Sequence, residues 1–390
     1  MGGFHAKTLG WLVERVYRPP VTSHGPRPGQ ICAAKRLPGT FRPVSRLREG
    51  SPTLGGVATT TSLAAMPVVQ GDLTRVEEAL AASVRADDPF LTEVVSHLLS
   101  AGGKRGRPLF ALAAGACAAP AITSAPNEVV MGGVAVELVH LGSLYHDDVM
   151  DEATTRRTVE SVNARWGNLT AILAGDFLLA RASEIAAELG TEVAALLART
   201  IARLCEGQVL ELQSTFNAVR TEEAYLQSID GKTAALFGTA SRIGAIVAGL
   251  DRTQIDALTS FGRDYGMAFQ IVDDVLDLSA TTEQLGKPAG HDLFEGVYTL
   301  PVLRTLANGG SAAEELRDIV GRIPSQAEVD RARDLVRDTG MVASALDTAA
   351  EFVDAACAAL DTVGECEATE ALAAQARLLV DSGRAAAAAA

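Results

Sequence analysis

The sequence predicts an all-α fold, and three observations carry that reading. The chain is 48% apolar with alanine and leucine, both strong helix formers, dominating that fraction. Apolar residues recur at helical spacing through most of its length. No stretch shows the period-two alternation of a half-buried strand. At 390 residues there is ample material for one large core.

Residues 1–65 stand apart. They hold nine Lys/Arg against two acidic residues and seven of the 15 prolines, and no hydrophobic period is sustained. They read as a disordered basic extension, or as residues ahead of a translation start at Met66, and 66–390 as the folded domain. The net charge of −14 argues against general nucleic-acid or anionic-membrane binding, though not against a local basic pocket. Cys32, Cys117, Cys205, Cys357 and Cys366 are scattered without disulfide or metal-like spacing, which points to a reducing compartment. No uninterrupted apolar stretch looks fit to span a bilayer; the closest, 109–125, is broken by Pro120.

Helical patterns begin at Asp72. Asp87-Asp88-Pro89 is a helix start, and Phe90, Leu91, Val94, Val95, Leu98 and Leu99 keep helical spacing until Gly102-Gly103 stops it. Lys104-Arg105-Gly106-Arg107-Pro108 follows, with Pro108 suited to a first turn. Cations beside a helix N-terminus suit an anion, whereas the plainer reading is a solvated basic loop. Asn127 can cap the next helix, which is apolar from Val129 and ends in His140-Leu-Gly-Ser-Leu-Tyr-His-Asp147-Asp148-Val-Met-Asp151. At 3.6 residues per turn His140, Asp147 and Asp151 share one stripe. Carboxylates one turn apart repel, and buried ones need a cation, a proton or a metal. Arg156-Arg157 lies just beyond.

From 168 to 250 the pattern is helical, with Gly175, Gly190 and Gly207 expected to interrupt it. Gly231-Lys232-Thr233 looks like the end of a P-loop, but Leu226 stands where that motif needs glycine and no strand precedes it, which excludes an ATP site. The acidic pattern then returns as Gln270-Ile-Val-Asp273-Asp274-Val-Leu-Asp277 on a helix ending near Leu278. Two such clusters on two apolar helices suggest Mg²⁺ facing a polyphosphate, since Mg²⁺ takes few carboxylates plus phosphate oxygens. A Gly/Pro loop at 286–293, ordinary amphipathic helices after Pro301, and a frayed Ala385–Ala390 run complete the chain.

Together these residues resemble the trans-isoprenyl diphosphate synthases, over about residues 70 to 380. The matching motifs are Gly-Gly-Lys-Arg-x-Arg-Pro at 102–108, Asp-x₃-Asp at 147–151, Arg156-Arg157, Gly231-Lys232-Thr233, Phe269-Gln270-x-x-Asp273-Asp274 and Gly286-Lys287, in that order. The resemblance implies an isoprenoid-synthase bundle of antiparallel helices around a central cavity, assembled as a homodimer. It implies Mg²⁺, roughly three ions per site, on Asp147, Asp151 and Asp273, with Asp148, Asp274 and Asp277 ligating or supporting. Arg156, Lys232, Thr233, Gln270 and Lys287 would hold the allylic diphosphate or flank its cation. Lys104, Arg107, His140 and Arg157 would hold isopentenyl diphosphate. The roles implied as catalytic fall to Asp147, Asp151, Lys232, Gln270 and Asp273.

Chain length would be set beside the helix before Asp147, where Gly142 and Ser143 are small, so a product longer than twenty carbons is expected. A cytoplasmic location is expected, peripheral at the membrane for product release, with the product handed to membrane enzymes. One departure is Val297, in Glu295-Gly296-Val297-Tyr298-Thr299-Leu300-Pro301, where many members carry lysine. Rival readings are a terpene cyclase, whose second metal motif is normally not Asp-Asp-x-x-Asp, and one subunit of a heteromeric synthase.

Overall fold

A computed structural model describes Leu63 and residues 66–118, 124–279 and 289–389. The extension predicted at 1–65, Leu63 apart, therefore lies outside the described residues, as do Cys32, Gly286 and Lys287. The described chain is all-α apart from one two-stranded hairpin. Its helices are α1 (Pro67–Ser83), α2 (Pro89–Ser100), α3 (Gly106–Ala116), α4 (Asn127–Met150), α5 (Val162–Trp166), α6 (Asn168–Glu188), α7 (Thr191–Gln213), α8 (Glu222–Ile229), α9 (Ala235–Val247) and α10 (Arg252–Ser279). There follow α11 (His291–Glu295), α12 (Leu300–Asn308), α13 (Gly310–Ile319), α14 (Gln326–Asp338), α15 (Met341–Ala359) and α16 (Glu367–Ala388).

The two helices that carry the acidic motifs, α4 and α10, both pack against α9, which also lies on α3 and α7. α4 is further covered by α6, and α10 by α15 and α16. By length and composition α4 is the one helix among the described residues able to cross a membrane, a stretch the sequence reading passed over. Its residues from Val129 to Leu141 are nearly all buried inside the bundle, so its apolarity serves the core.

Local chemistry explains most boundaries. Asp88 caps α2, its carboxylate accepting from the amides of Phe90 and Leu91 at 2.7 and 3.3 Å. The predicted Asn127 cap is corrected: Pro126 is the N-cap residue and Asn127 is already helical, without a side-chain cap bond. Proline's fixed φ and missing N–H suit that boundary, and Glu128 puts acid into the first turn. Gly190 does break the chain between helices, but Gly175 lies within α6 and Gly207 within α7. The C-terminal alanines are helical as far as Ala388, as their propensity allows.

Gly207 is a contact rather than a break. A short π-helical turn, Asp230–Ala234, joins α8 to α9 and carries Lys232. A Cβ on Gly207 would lie 2.4 Å from the Lys232 amide, and one on Gly231 would lie 2.8 Å from the Arg203 carbonyl. Backbone meets backbone there, which fixes where the Lys232 side chain starts. Gly207→Ala should therefore destabilise the fold by about 1–3 kcal/mol, the usual cost of overpacking. The check is a lowered urea midpoint with unchanged slope; an unchanged midpoint would refute the contact.

Candidate active site

The first part of the site is a basic pocket. Its framework is the segment between α2 and α3 together with the hairpin Thr155–Arg156/Val159–Glu160, in register Thr155↔Glu160 and Arg156↔Val159. Both residues of the hairpin turn, Arg157 and Thr158, have positive φ, at 52° and 66°. Arg105, the N-cap residue of α3, is also left-handed at 49°. Non-glycine residues in this region store strain, and here it is offset by the bonds the two arginines make. Arg105 is clamped by Glu77 at 2.6 Å and by the buried Glu137 at 3.1 Å. Arg157 donates to the carbonyls of Gly102 and Leu98.

Between these parts lies a cavity of about 340 Å³ whose walls include Lys104, Arg107, His140, Arg157, Phe237 and Phe269. All four residues that the resemblance implies for isopentenyl diphosphate thus meet in one place. Burial, with Arg157 repelling, lowers the Arg107 pKa to about 10. Its Nε has no hydrogen-bond partner among the described residues, and its guanidinium lies 4.8 Å from the Phe237 ring centroid. Burial and the surrounding arginines push His140 well below its usual range, so at neutral pH it is a neutral hydrogen-bonding group. Glu137 is the central counter-charge: burial raises its pKa while Arg105, Arg107 and Arg157 oppose the rise. Cations outnumber acids here, which equips the cavity for an anion.

The second part is an acidic cleft. Asp147 lies in the last turn of α4 and Asp151 is its C-cap residue, donating its amide to the Asp147 carbonyl at 2.8 Å. The negative end of a helix dipole is an unfavourable place for carboxylates. Burial, with Asp151 and Glu211 adding repulsion, pushes Asp147 up to about 6, against the pull of Lys232 and Arg156. Lys232 bonds Glu211 at 2.5 Å. Burial alone would lower its pKa, but Glu211, Asp147 and Asp151 together raise it.

On α10, Asp273 is exposed whereas Asp274 and Asp277 are buried. Thr233 donates to Gln270 Oε1 at 2.7 Å, Gln270 Nε2 to Asp274 at 2.7 Å, and the Tyr225 hydroxyl to Asp274 at 2.6 Å. Burial first, then the charges of Asp273 and Glu211, raise the Asp274 pKa. Asp277 accepts the Asp292 amide at 3.1 Å. Asp148 is fully buried and ion-paired to Arg156 at 2.6 Å. These three inner aspartates are tied to protein groups and support the cleft. Arg156 likewise spends one donor on Asp148 rather than facing the cleft outright. Glu211 acts on Asp147 and Asp151 of α4 and on Asp274 of α10, and Asp273 acts on Lys104 of the basic pocket. The two parts of the site therefore adjoin.

An apolar groove of about 430 Å³ leads away from Asp147 and Lys232, past Ser143, Leu204, Val209 and Leu212. Gly142 does not share that wall: it faces α6, where a Cβ would meet the Gly175 carbonyl at 3.1 Å. Sequence reasoning missed Glu211, Tyr225 and Glu137. Glu137 was findable, as an acid interrupting the apolar stripe of α4 one turn before His140. Glu211 was not, because its partner lies 21 residues on, across a helix crossing.

Among the described residues no three acidic, His or Cys side chains stand close enough to ligate one ion unaided. The set of Asp147, Asp151 and Asp273 still suits Mg²⁺, a hard ion that completes its shell with water and phosphate oxygens. Burial raises the carboxyl pKa values of Asp147 and Asp151 against the pull of Lys232 and Arg156, so a further cation in the cleft would favour their charged forms.

Comparison with known proteins agrees with this geometry. A family model for polyprenyl synthetases matches residues 88–337. Nonaprenyl diphosphate synthase of Mycobacterium tuberculosis is 40% identical over 285 residues, covering 73% of this chain and 84% of that protein. Heptaprenyl diphosphate synthase component 2 of Bacillus subtilis is 34% identical over 309 residues, 79% and 87% of the two chains. A polyprenyl synthase from Caulobacter crescentus, solved with calcium and isoprenyl diphosphate, superposes with a TM-score of 0.77 at 35% identity, over 83% of this chain and 98% of that one. The chain belongs to the polyprenyl synthetase family, the chain-elongating prenyltransferases.

Proposed function

We propose that this chain condenses isopentenyl diphosphate with an allylic diphosphate and repeats the step to give an all-E polyprenyl diphosphate longer than twenty carbons. The observation that carries the reading is the adjacency of the two charged pockets, one cationic and one acidic, with the aromatic Phe237 and Phe269 lining the first. Lys104, Arg107 and Arg157, with neutral His140, hold the isopentenyl diphosphate. Lys232, Thr233, Gln270 and Arg156 hold the allylic diphosphate; the resemblance adds Lys287, which lies outside the described residues. Asp147, Asp151 and Asp273 would hold Mg²⁺, roughly three ions in all, which would supply positive charge to the leaving diphosphate.

The allylic C–O bond then breaks, leaving a delocalised cation whose charge Phe237 and Phe269 can meet with π faces. The isopentenyl double bond attacks that cation, and the proton lost in closing the new double bond goes to the departing diphosphate. No protein nucleophile is required.

The growing tail enters the groove beyond Ser143. Exposed Ile172, Val209 and Leu212 on α6 and α7 line it, and Leu169 and Leu173 of α6 are exposed as well; we propose that a second copy covers this face, giving a homodimer of twice 40.6 kDa. We further propose a cytoplasmic enzyme, a reading that the scattered cysteines support, whose product is taken by membrane enzymes. One relative is named as component 2 of its enzyme, which favours the second reading, a subunit of a heteromeric synthase.

Incubating the purified chain alone with farnesyl diphosphate, labelled isopentenyl diphosphate and Mg²⁺ decides between them. Products beyond twenty carbons are expected; turnover only after adding another chain would support the subunit reading. Ser143→Phe should shorten the product, and unchanged length would remove the groove from the tail's path. Metal binding needs Asp147 ionised, and its pKa is raised to about 6. Mg²⁺-dependent affinity for pyrophosphate should therefore weaken by up to about tenfold per pH unit below 6, relative to Asp147→Asn, which has no proton to lose. Parallel pH profiles for the two proteins would contradict this.

A further inference from the structure

Arg220 lies in the turn between α7 and α8 and is 7% exposed. Its Nη1 donates to the Tyr298 carbonyl at 3.4 Å, and its guanidinium lies 5.5 Å from the centroid of the Tyr225 ring, the ring whose hydroxyl serves Asp274. Nε and Nη2 are buried and have no hydrogen-bond partner among the described residues. A guanidinium keeps its charge in a protein, so such donors are unfavourable until an acceptor reaches them.

The surroundings say what kind of acceptor fits. Burial lowers the pKa of Arg220, and Glu211 leads the groups that oppose it, with Tyr225 and Asp274 behind. Those two acids are already engaged, Glu211 by Lys232 and Asp274 by Tyr225 and Gln270. Arg156 spends its Nε on Asp148 and has its remaining donors for a ligand. Tyr225 thus links Arg220 to Asp274, and Nε and Nη2 offer a planar pair of donors that no described acid has taken. Its one main-chain partner, Tyr298, directly follows Val297, whose apolar side chain offers no charge from that strap.

We propose that Arg220 binds the diphosphate of the allylic substrate, using Nε and Nη2 as a fork for two of its oxygens and supplying the positive charge that Val297 does not. This rests on the reading of the cleft as a diphosphate site. Arg220 stands in the α7–α8 turn beside Tyr225, and the contact to Tyr298 couples it to the strap 296–299. The competing role is a fixed counter-ion for Glu211 and Asp274, which would leave ligand affinity untouched.

The test is calorimetric titration of the full chain with inorganic pyrophosphate in Mg²⁺, beside steady-state kinetics. Arg220→Gln should weaken pyrophosphate binding by about tenfold or more and raise KM for farnesyl diphosphate without raising KM for isopentenyl diphosphate. Adding Val297→Lys to that variant should recover most of the loss. If Arg220→Gln folds poorly, Arg220→Lys keeps the charge without the fork and should show the same selective loss at smaller size. Affinity within about twofold of the parent overturns the proposal, and so does a loss that Val297→Lys leaves in place. Absence of pyrophosphate binding by the parent chain overturns the reading of the cleft itself.

Discussion

The structure depends on holding carboxylates where an isolated helix would least favour them. Asp147 and Asp151 sit at the carboxyl end of α4, and Asp273, Asp274 and Asp277 in the last turns of α10. At both places the helix dipole presents its negative end. A soluble bundle would normally keep such acids apart or leave them in water. Here α9 packs against both helices, and Lys232, Arg156 and Tyr225 are set among the acids. Burial still raises the carboxyl pKa values of Asp147 and Asp274. Divalent ions bound there would offset that cost and bring a substrate diphosphate with them.

The basic pocket shows the same principle with the sign reversed. Glu77 and Glu137 satisfy part of the cationic cluster, while Arg107 Nε is left without a protein partner among the described residues. The bonds that offset the backbone strain at Arg105 and Arg157 also keep these side chains from relaxing into solvent. The glycine before Lys104 is part of this: a Cβ on Gly103 would press on Arg105 and Arg157 guanidinium nitrogens at 2.7 and 2.8 Å. Rigid, partly unsatisfied charge is what an enzyme needs to favour a charged transition state over water.

Much of this was legible in the sequence because it is local. Helical period, the Asp88 cap and the two Asp-x₃-Asp stripes all act within a few residues, and the basic motif before α3 announces an anion. What the sequence hid involves residues far apart. The Lys232–Glu211 pair depends on two glycines meeting across a helix crossing. The Tyr225–Asp274–Gln270–Thr233 chain joins α8, the π-helical turn and α10. The helix-interior roles of Gly175 and Gly207 follow from neighbours, not from propensity, which favours a break. Gly142 and Ser143 look alike in sequence, and only the packing of α4 on α6 separates the one in the interface from the one facing the groove.

The account's central claim is that α4 and α10 act on one shared ligand. A double-mutant cycle on Mg²⁺-dependent pyrophosphate binding, using Asp147→Asn, Asp273→Asn and the pair, tests it most directly. If both helices hold the same metal-bridged diphosphate, each single substitution removes most of the binding and the double variant is little worse than either. Losses that simply add would mean two independent sites, and the shared-ligand account would fail.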